Sequence, residues 1–248
     1  MKIQQYQWSK ENEWNTPLLS EGETGTQLVL LFGSLSAIKE AEPRKQVLEA
    51  FPNAIIAGCS TAGEICQANV QDNTLVLTAI EFEKTTVRKS VVSLSDRIDE
   101  FEAGSLLAED LMSEDLKHIF VLSEGLNVNG SALIKGLLRI LPEKIAVTGG
   151  LSADGDRFSQ TMVYWGEEPT ANSIVAIGFY GDNLEVGFGS IGGWDPFGPE
   201  RIITKSDGNI LYEVDNRSAL DLYKQYLGEH AEGLPATGLL FPLSLRKG

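Results

Sequence analysis

The sequence predicts an α/β fold with mixed sheets, built from two similar strand–helix–strand halves and followed by a partial second domain. Three observations carry this. Short continuous apolar runs, LVLLF (28–32) and HIFVL (118–122), have the composition of strands buried on both faces. Each is followed by a helical stretch, a second apolar run and a loop of small residues. The chain also matches itself, with a period of roughly 90 residues, which is longer than the 20–50 of solenoid arrays and points to two paired halves.

The match is read step by step. In the first half, QLVLLFGS leads to a charged helical stretch ending VLEAFP, then NAIIAGCSTAGE, TLVLTAIEF and TTVRKSVVSL. In the second, HIFVLSEG leads to ALIKGLLRILP, KIAVTGGLSADGD, SIVAIGFYG and LEVGFGSIGG. Phe51-Pro52 answers Leu141-Pro142, Gly58 answers Gly149, Thr61-Ala62 answers Ser152-Ala153, and Gly63 answers Gly155. Pro43 suits the start of the first helix, and Asn129 or Ser131 caps the second. Stretch 99–112 has helical apolar spacing and links the halves. TMVYW, SIVAIGFY and LEVGFGSI read as strands separated by turn signals such as GDN.

After the loop GGWDPFGPE the character changes. RIITKSDGNILYEV reads as a hairpin turning at Asp207-Gly208. Asp215 or Asn216 is expected to cap the helix SALDLYKQYLG, which Gly228 ends. The expected domains are an N-terminal extension (1–26), a main domain (27–209, with halves 27–98 and 117–192) and the start of a second domain (210–248).

Composition narrows the function. A net charge of −15 argues against nucleic acid or an anionic membrane as partner. The first residues lack the apolar core of a secretory signal, and no apolar run approaches the ~20 residues of a membrane span. Cys59 and Cys66 fit neither zinc spacing nor a C-x-x-C motif, so a cytoplasmic protein with reduced thiols is expected.

The two loops of small residues are the candidate site: Gly58, Cys59, Ser60, Thr61, Gly63 and Glu64 in the first, Gly149, Gly150, Ser152 and Asp154 in the second. Each follows a buried strand, where α/β proteins commonly place ligands. Small residues let backbone N–H groups approach a carboxylate or phosphate, hydroxyls add hydrogen bonds, and Glu64 and Asp154 can hold an amino group. The plainer reading is that the glycines only permit tight turns. Trp194 and Phe197, set among glycines, form either an aromatic pocket wall or a plug at the next domain's seam.

Enzymatic readings are weaker. The string Gly58-Cys59-Ser60-Thr61-Ala62 displaces the second glycine of G-x-S-x-G to Gly63, and only His118 and His230 exist to act as base. A hydrolase or thiol enzyme using Cys59 or Ser60 stays as an alternative, as does a scaffold without ligand. Dinucleotide and P-loop fingerprints are missing, and no catalytic residue, metal site or cofactor is expected. Haem, the remaining cofactor alternative, requires an axial ligand from His118, His230, Cys59, Cys66 or a tyrosine.

The motifs resemble a known family. GCSTAGEI (58–65) is similar to the N-terminal hallmark of the FIST (F-box and intracellular signal transduction) sensory proteins, and VTGGLSADG (147–155) to their second hallmark. Residues 193–228 are similar to the join between the family's two domains, and FPLSL (241–245) to an early strand of the C-terminal one. The resemblance implies a bacterial sensory module for small molecules such as amino acids. Its implied output is a histidine kinase, a cyclic-dinucleotide enzyme or a chemoreceptor. Haem binding is implied for some members, and most of the C-terminal domain is expected to be absent.

Overall fold

The computed structural model describes residues 1–18, 25–94, 98–166, 168–189, 193–195 and 198–246. The chain divides into two compact units, Met1–Phe188 and Gly189–Gly248. In the first, strands β1 (Lys2–Ser9), β2 (Glu13–Trp14) and β3 (Leu28–Gly33) precede two helices, α1 (Leu35–Ile38) and α2 (Ala41–Ala50). Strands β4 (Ile55–Ser60), β5 (Glu64–Cys66), β6 (Asn69–Gln71), β7 (Thr74–Glu81) and β8 (Thr86–Ser93) follow. The remainder is α3 (Glu100–Leu111), β9 (Leu116–Ser123), α4 (Gly130–Ile140), β10 (Ala146–Leu151), β11 (Val163–Tyr164) and β12 (Ser173–Tyr180).

Two mixed sheets result. The first has the order β11-β4-β3-β7-β1-β2, the second β10-β9-β12-β8. Within them β4-β3-β7-β1 and β10-β9-β12-β8 have the same directions: one parallel pair, then two antiparallel pairs. The duplication is therefore present in three dimensions, to the level of single residues. Gly58 lies opposite Leu31, and Gly149 lies opposite Val121.

One expectation changes. Residues 86–93 were expected to close the first half, matching 184–193 in the second. Instead β8 forms an eight-residue antiparallel ladder with β12 and so opens the second half; its counterpart is β1, which the sequence assigned to an extension. Described residues 184–189 form no strand; Gly187 and Gly189 give that segment little to pack.

Alternation within the strands explains the layering. Val29, Leu31, Leu75, Leu77 and Ala79 point one way and pack against Ile38, Val47 and Phe51 of α1, α2 and the helix end. Their neighbours Leu28, Ala57 and Cys59 point the other way and meet Leu122, Val175 and Ile177 of the second sheet. On that sheet's far face Ile119, Val121, Ile174 and Ala176 pack on Leu107, Leu111, Leu133 and Leu137 of α3 and α4. The layers run helices, sheet, sheet, helices, with Asp99 and Asn129 capping α3 and α4 through their side chains.

His118 belongs to the seam between the sheets. It is 3% exposed, its Nε2 lies 2.8 Å from Thr148 Oγ1, its ring faces Phe179, and Nδ1 has no partner among the described residues. Burial lowers its pKa below the usual 6.5. The unfolded chain thus takes up the proton first, so this residue's contribution is complete above about pH 6.5 and is lost as pH falls below it. Urea midpoints measured between about pH 7 and about pH 5.5 should fall with acidity in the native chain and fall less in His118→Phe. Equal slopes would show that His118 does not set the acid limit.

The second unit holds β13 (Ile203–Asp207), β14 (Ile210–Val214), β15 (Arg217–Ser218) and α5 (Ala219–Leu227). Gly208, at φ 55°, makes the expected hairpin turn, and Gly228 ends α5. The cap differs from expectation. Ser218 caps α5 by accepting from Asp221 N–H, while Asp215 and Asn216 take positive φ in the turn before β15. Asn and Asp tolerate that conformation, and so turn the chain two residues before the helix starts. Leu222 and Leu227 are the buried apolar side chains of this unit among its described residues.

Candidate ligand-binding site

Both candidate loops leave the carboxyl ends of parallel strand pairs, β3/β4 and β9/β10. They touch: Ala153 N–H donates to the Ser60 carbonyl at 2.8 Å. Ser60, fully buried, also donates its N–H to Met162 O at 2.8 Å and accepts Met162 N–H on Oγ at 3.0 Å. This one serine therefore ties the first loop to both ends of the 153–162 segment. Thr61 N–H bonds Gly33 O and, in the matching position, Ser152 N–H bonds Ser123 O.

The carboxylates are committed to their own loops. Glu64, 1% exposed, accepts from Thr61 Oγ1 at 2.6 Å and from the N–H and Oγ1 of Thr74 at 3.1 and 3.0 Å. Asp154 accepts from the N–H groups of Phe158, Ser159 and Gln160 and from Ser159 Oγ, all within 3.1 Å. Burial alone would raise its pKa, but these donors outweigh burial and hold it below the usual carboxylate range. The expectation that Glu64 and Asp154 hold an amino group thus meets carboxylates already serving as loop anchors.

Ser152 is different. It is buried and its Oγ has no hydrogen-bond partner among the described residues. Its carbonyl packs so closely on Gly125 that a Cβ there would sit 1.8 Å from the oxygen. Gly125 follows Glu124, 2% exposed, whose carboxylate accepts from Leu126 N–H, Asn127 N–H and Thr161 Oγ1 at 2.7–2.8 Å. Glu124 and Thr161 went unnoticed in the sequence. The signal was there: Ser123-Glu124-Gly125 is a small polar break after an apolar strand, like the other two loops.

A family model described as the FIST N domain matches residues 27–217. The chain belongs to the FIST family. FIST domains are sensory domains of signalling proteins. No curated protein matches this FIST chain. The match begins after β1, although β1 is the fifth strand in the order of the first sheet, paired with β7.

Within this FIST chain Cys59 points into the seam between the sheets, where burial pushes its thiol up to about 12. A thiol so protonated is a poor nucleophile at neutral pH. Ser60 Oγ is engaged with Met162, and His118, on the other sheet, lies five residues, about 16 Å of extended chain, before the end of β9. Neither His118 nor Cys59, both inside the seam, is presented as an axial haem ligand, so these two do not fit that group. Among the described residues no group of three or more His, Cys, Asp or Glu is placed to hold a metal, and no helix is long and apolar enough to cross a membrane.

The remaining predicted residues are peripheral. Gly149 and Gly150 are exposed on β10, and Gly63 sits at φ 140° where the chain turns into β5. Trp194 belongs to the second unit, 63% exposed, with its indole N–H donating to Leu240 O. Phe197 lies outside the described residues.

Proposed function

We propose that this FIST chain is a cytoplasmic sensory module that binds a small polar molecule, such as an amino acid, where the 58–64 and 149–155 loops meet. It reports occupancy to a histidine kinase, cyclic-dinucleotide enzyme or chemoreceptor and performs no chemistry of its own. One observation carries the reading: the buried Ser152 hydroxyl is left without a partner beside the Ser60–Ala153 bond. An unsatisfied buried hydroxyl costs about 1–3 kcal/mol, and a ligand that pairs with it removes that cost. Thr61, half-buried, and exposed Ala62 form the approach.

The experiment is a thermal-shift panel of amino acids, small carboxylates and haem on the full chain. A compound at 100 times its Kd adds about 2.7 kcal/mol of stability. Ser152→Ala should abolish the shift without lowering the melting temperature of the free protein, because the hydroxyl it removes bonds nothing in the described structure. Thr61→Trp should block entry. A panel without any shift, or full response in Ser152→Ala, would overturn the reading.

A further inference from the structure

Among the described residues the buried carboxylates are Glu64, Glu124 and Asp154, and all three stand at the loops of the proposed site. Each is already occupied. Glu64 accepts three hydrogen bonds from the protein, Glu124 three and Asp154 four. A carboxylate offers about four acceptor sites, so Asp154 is full and the other two have little left to give. An ammonium group entering here would shed its water without gaining a buried counter-charge.

The donors are in the opposite state. The Ser152 hydroxyl, 5% exposed, has no partner among the described residues. Three residues on, Gly155 holds φ 76°, and a Cβ built there would find the Arg157 guanidinium nearest, Nη1 at 3.5 Å and Nη2 at 3.6 Å. Exposed Arg157 thus folds back on the loop, yet it makes no hydrogen bond or ion pair among the described residues. Ser152 and Gly155 are separated by at most about 11 Å of extended chain, which a small molecule and an arginine side chain span together. A second cation borders the same segment: Lys39 Nζ donates to Gln160 Oε1 at 2.6 Å.

We infer that the ligand is recognised by a carboxylate group, held between Ser152 Oγ and the Arg157 guanidinium, and that an amino group on it is not required. The inference rests on the proposed site and names the chemistry that the site reads. A guanidinium pairs with a planar carboxylate through two parallel N–H···O bonds, and a buried hydroxyl adds a third donor.

The test takes alanine, leucine and phenylalanine on the full chain. Each is set beside its des-amino carboxylate (propionate, isocaproate, hydrocinnamate) and its decarboxylated amine (ethylamine, isoamylamine, phenethylamine), with Kd read from thermal shifts against concentration. In at least one series the carboxylate should bind as tightly as the amino acid, and the amine should not bind. Arg157→Gln should raise the carboxylate's Kd about tenfold, and Arg157→Lys should recover part of that. Asp156→Asn, at the exposed acid next to Arg157, should change nothing. Because Arg157 bonds nothing in the described structure, Arg157→Gln should keep the native urea midpoint, so lost binding is not lost folding. Binding of amino acid and amine without the carboxylate overturns the inference and leaves the proposed site standing. An unchanged Kd in Arg157→Gln does the same. Silence in every series overturns the inference, and silence across the wider panel overturns the site as well.

Discussion

Gly58→Ala is expected to lower the unfolding free energy by about 3–4 kcal/mol, among the larger effects a single methyl group can have. A Cβ at this position would lie 1.7 Å from the Leu31 carbonyl oxygen, in the middle of the parallel β3/β4 pair. Both colliding atoms belong to backbone, so no side chain can swing aside. Separating the strands would break the pairing of β4 with β3 on one side and β11 on the other. Gly149→Ala should behave alike, since its Cβ would meet Val121 O at 1.8 Å and its φ of 147° is strained for any L side chain. Gly150→Ala is the control, because its Cβ enters open space. Urea midpoints check this: a Gly58→Ala shift no larger than that of Gly150→Ala would mean that the strands separate easily.

Glu124→Ala is expected to cost about 3–5 kcal/mol and to erase any ligand response. Its carboxylate is the acceptor for two loop N–H groups and for Thr161 Oγ1, and the same Thr161 oxygen accepts Gly125 N–H. Truncation leaves the buried Thr161 hydroxyl without its acceptor and frees the two N–H groups of the 124–127 turn. Glu124→Gln, which keeps one carbonyl oxygen, should lose roughly half as much. Because Gly125 packs on the Ser152 carbonyl, loosening this loop also moves the proposed contact. The test combines denaturation with the thermal-shift panel. A Glu124→Ala chain of native stability would show that the carboxylate is not the anchor of the 124–127 turn.

Much of the fold was legible because it is written in local terms. Runs such as LVLLF and HIFVL are apolar at consecutive positions and end within a few residues at small polar breaks, the pattern of a short strand buried on both faces. The repeat was visible because each half must solve the same local problem, a strand-to-loop turn at which Gly58 and Gly149 admit a neighbouring carbonyl. What stayed hidden depends on partners remote in sequence. β1 and β8 are partly exposed strands whose place is set by the ladder each completes on β7 or β12, and nothing in QQYQW or TVRKSVV names that neighbour. The loops followed the same division. Small polar residues after Ile56 and Val147 marked them, but the marking does not say which acids stay free.

By itself the sequence determined the α/β class, the duplication, the two small-residue loops and membership of the FIST family, which rest on short local runs and on their recurrence roughly 90 residues later. Only the tertiary structure decided that the sheets stack face to face between helices and that Cys59 lies inside that seam. It also decided that Glu64 and Asp154 serve their own loops while the Ser152 hydroxyl does not, and that β4 gains β11 as a neighbour while no strand lies beyond β10 among the described residues. Those outcomes depend on which distant backbone groups come within hydrogen-bonding reach, and that is settled when the layers pack.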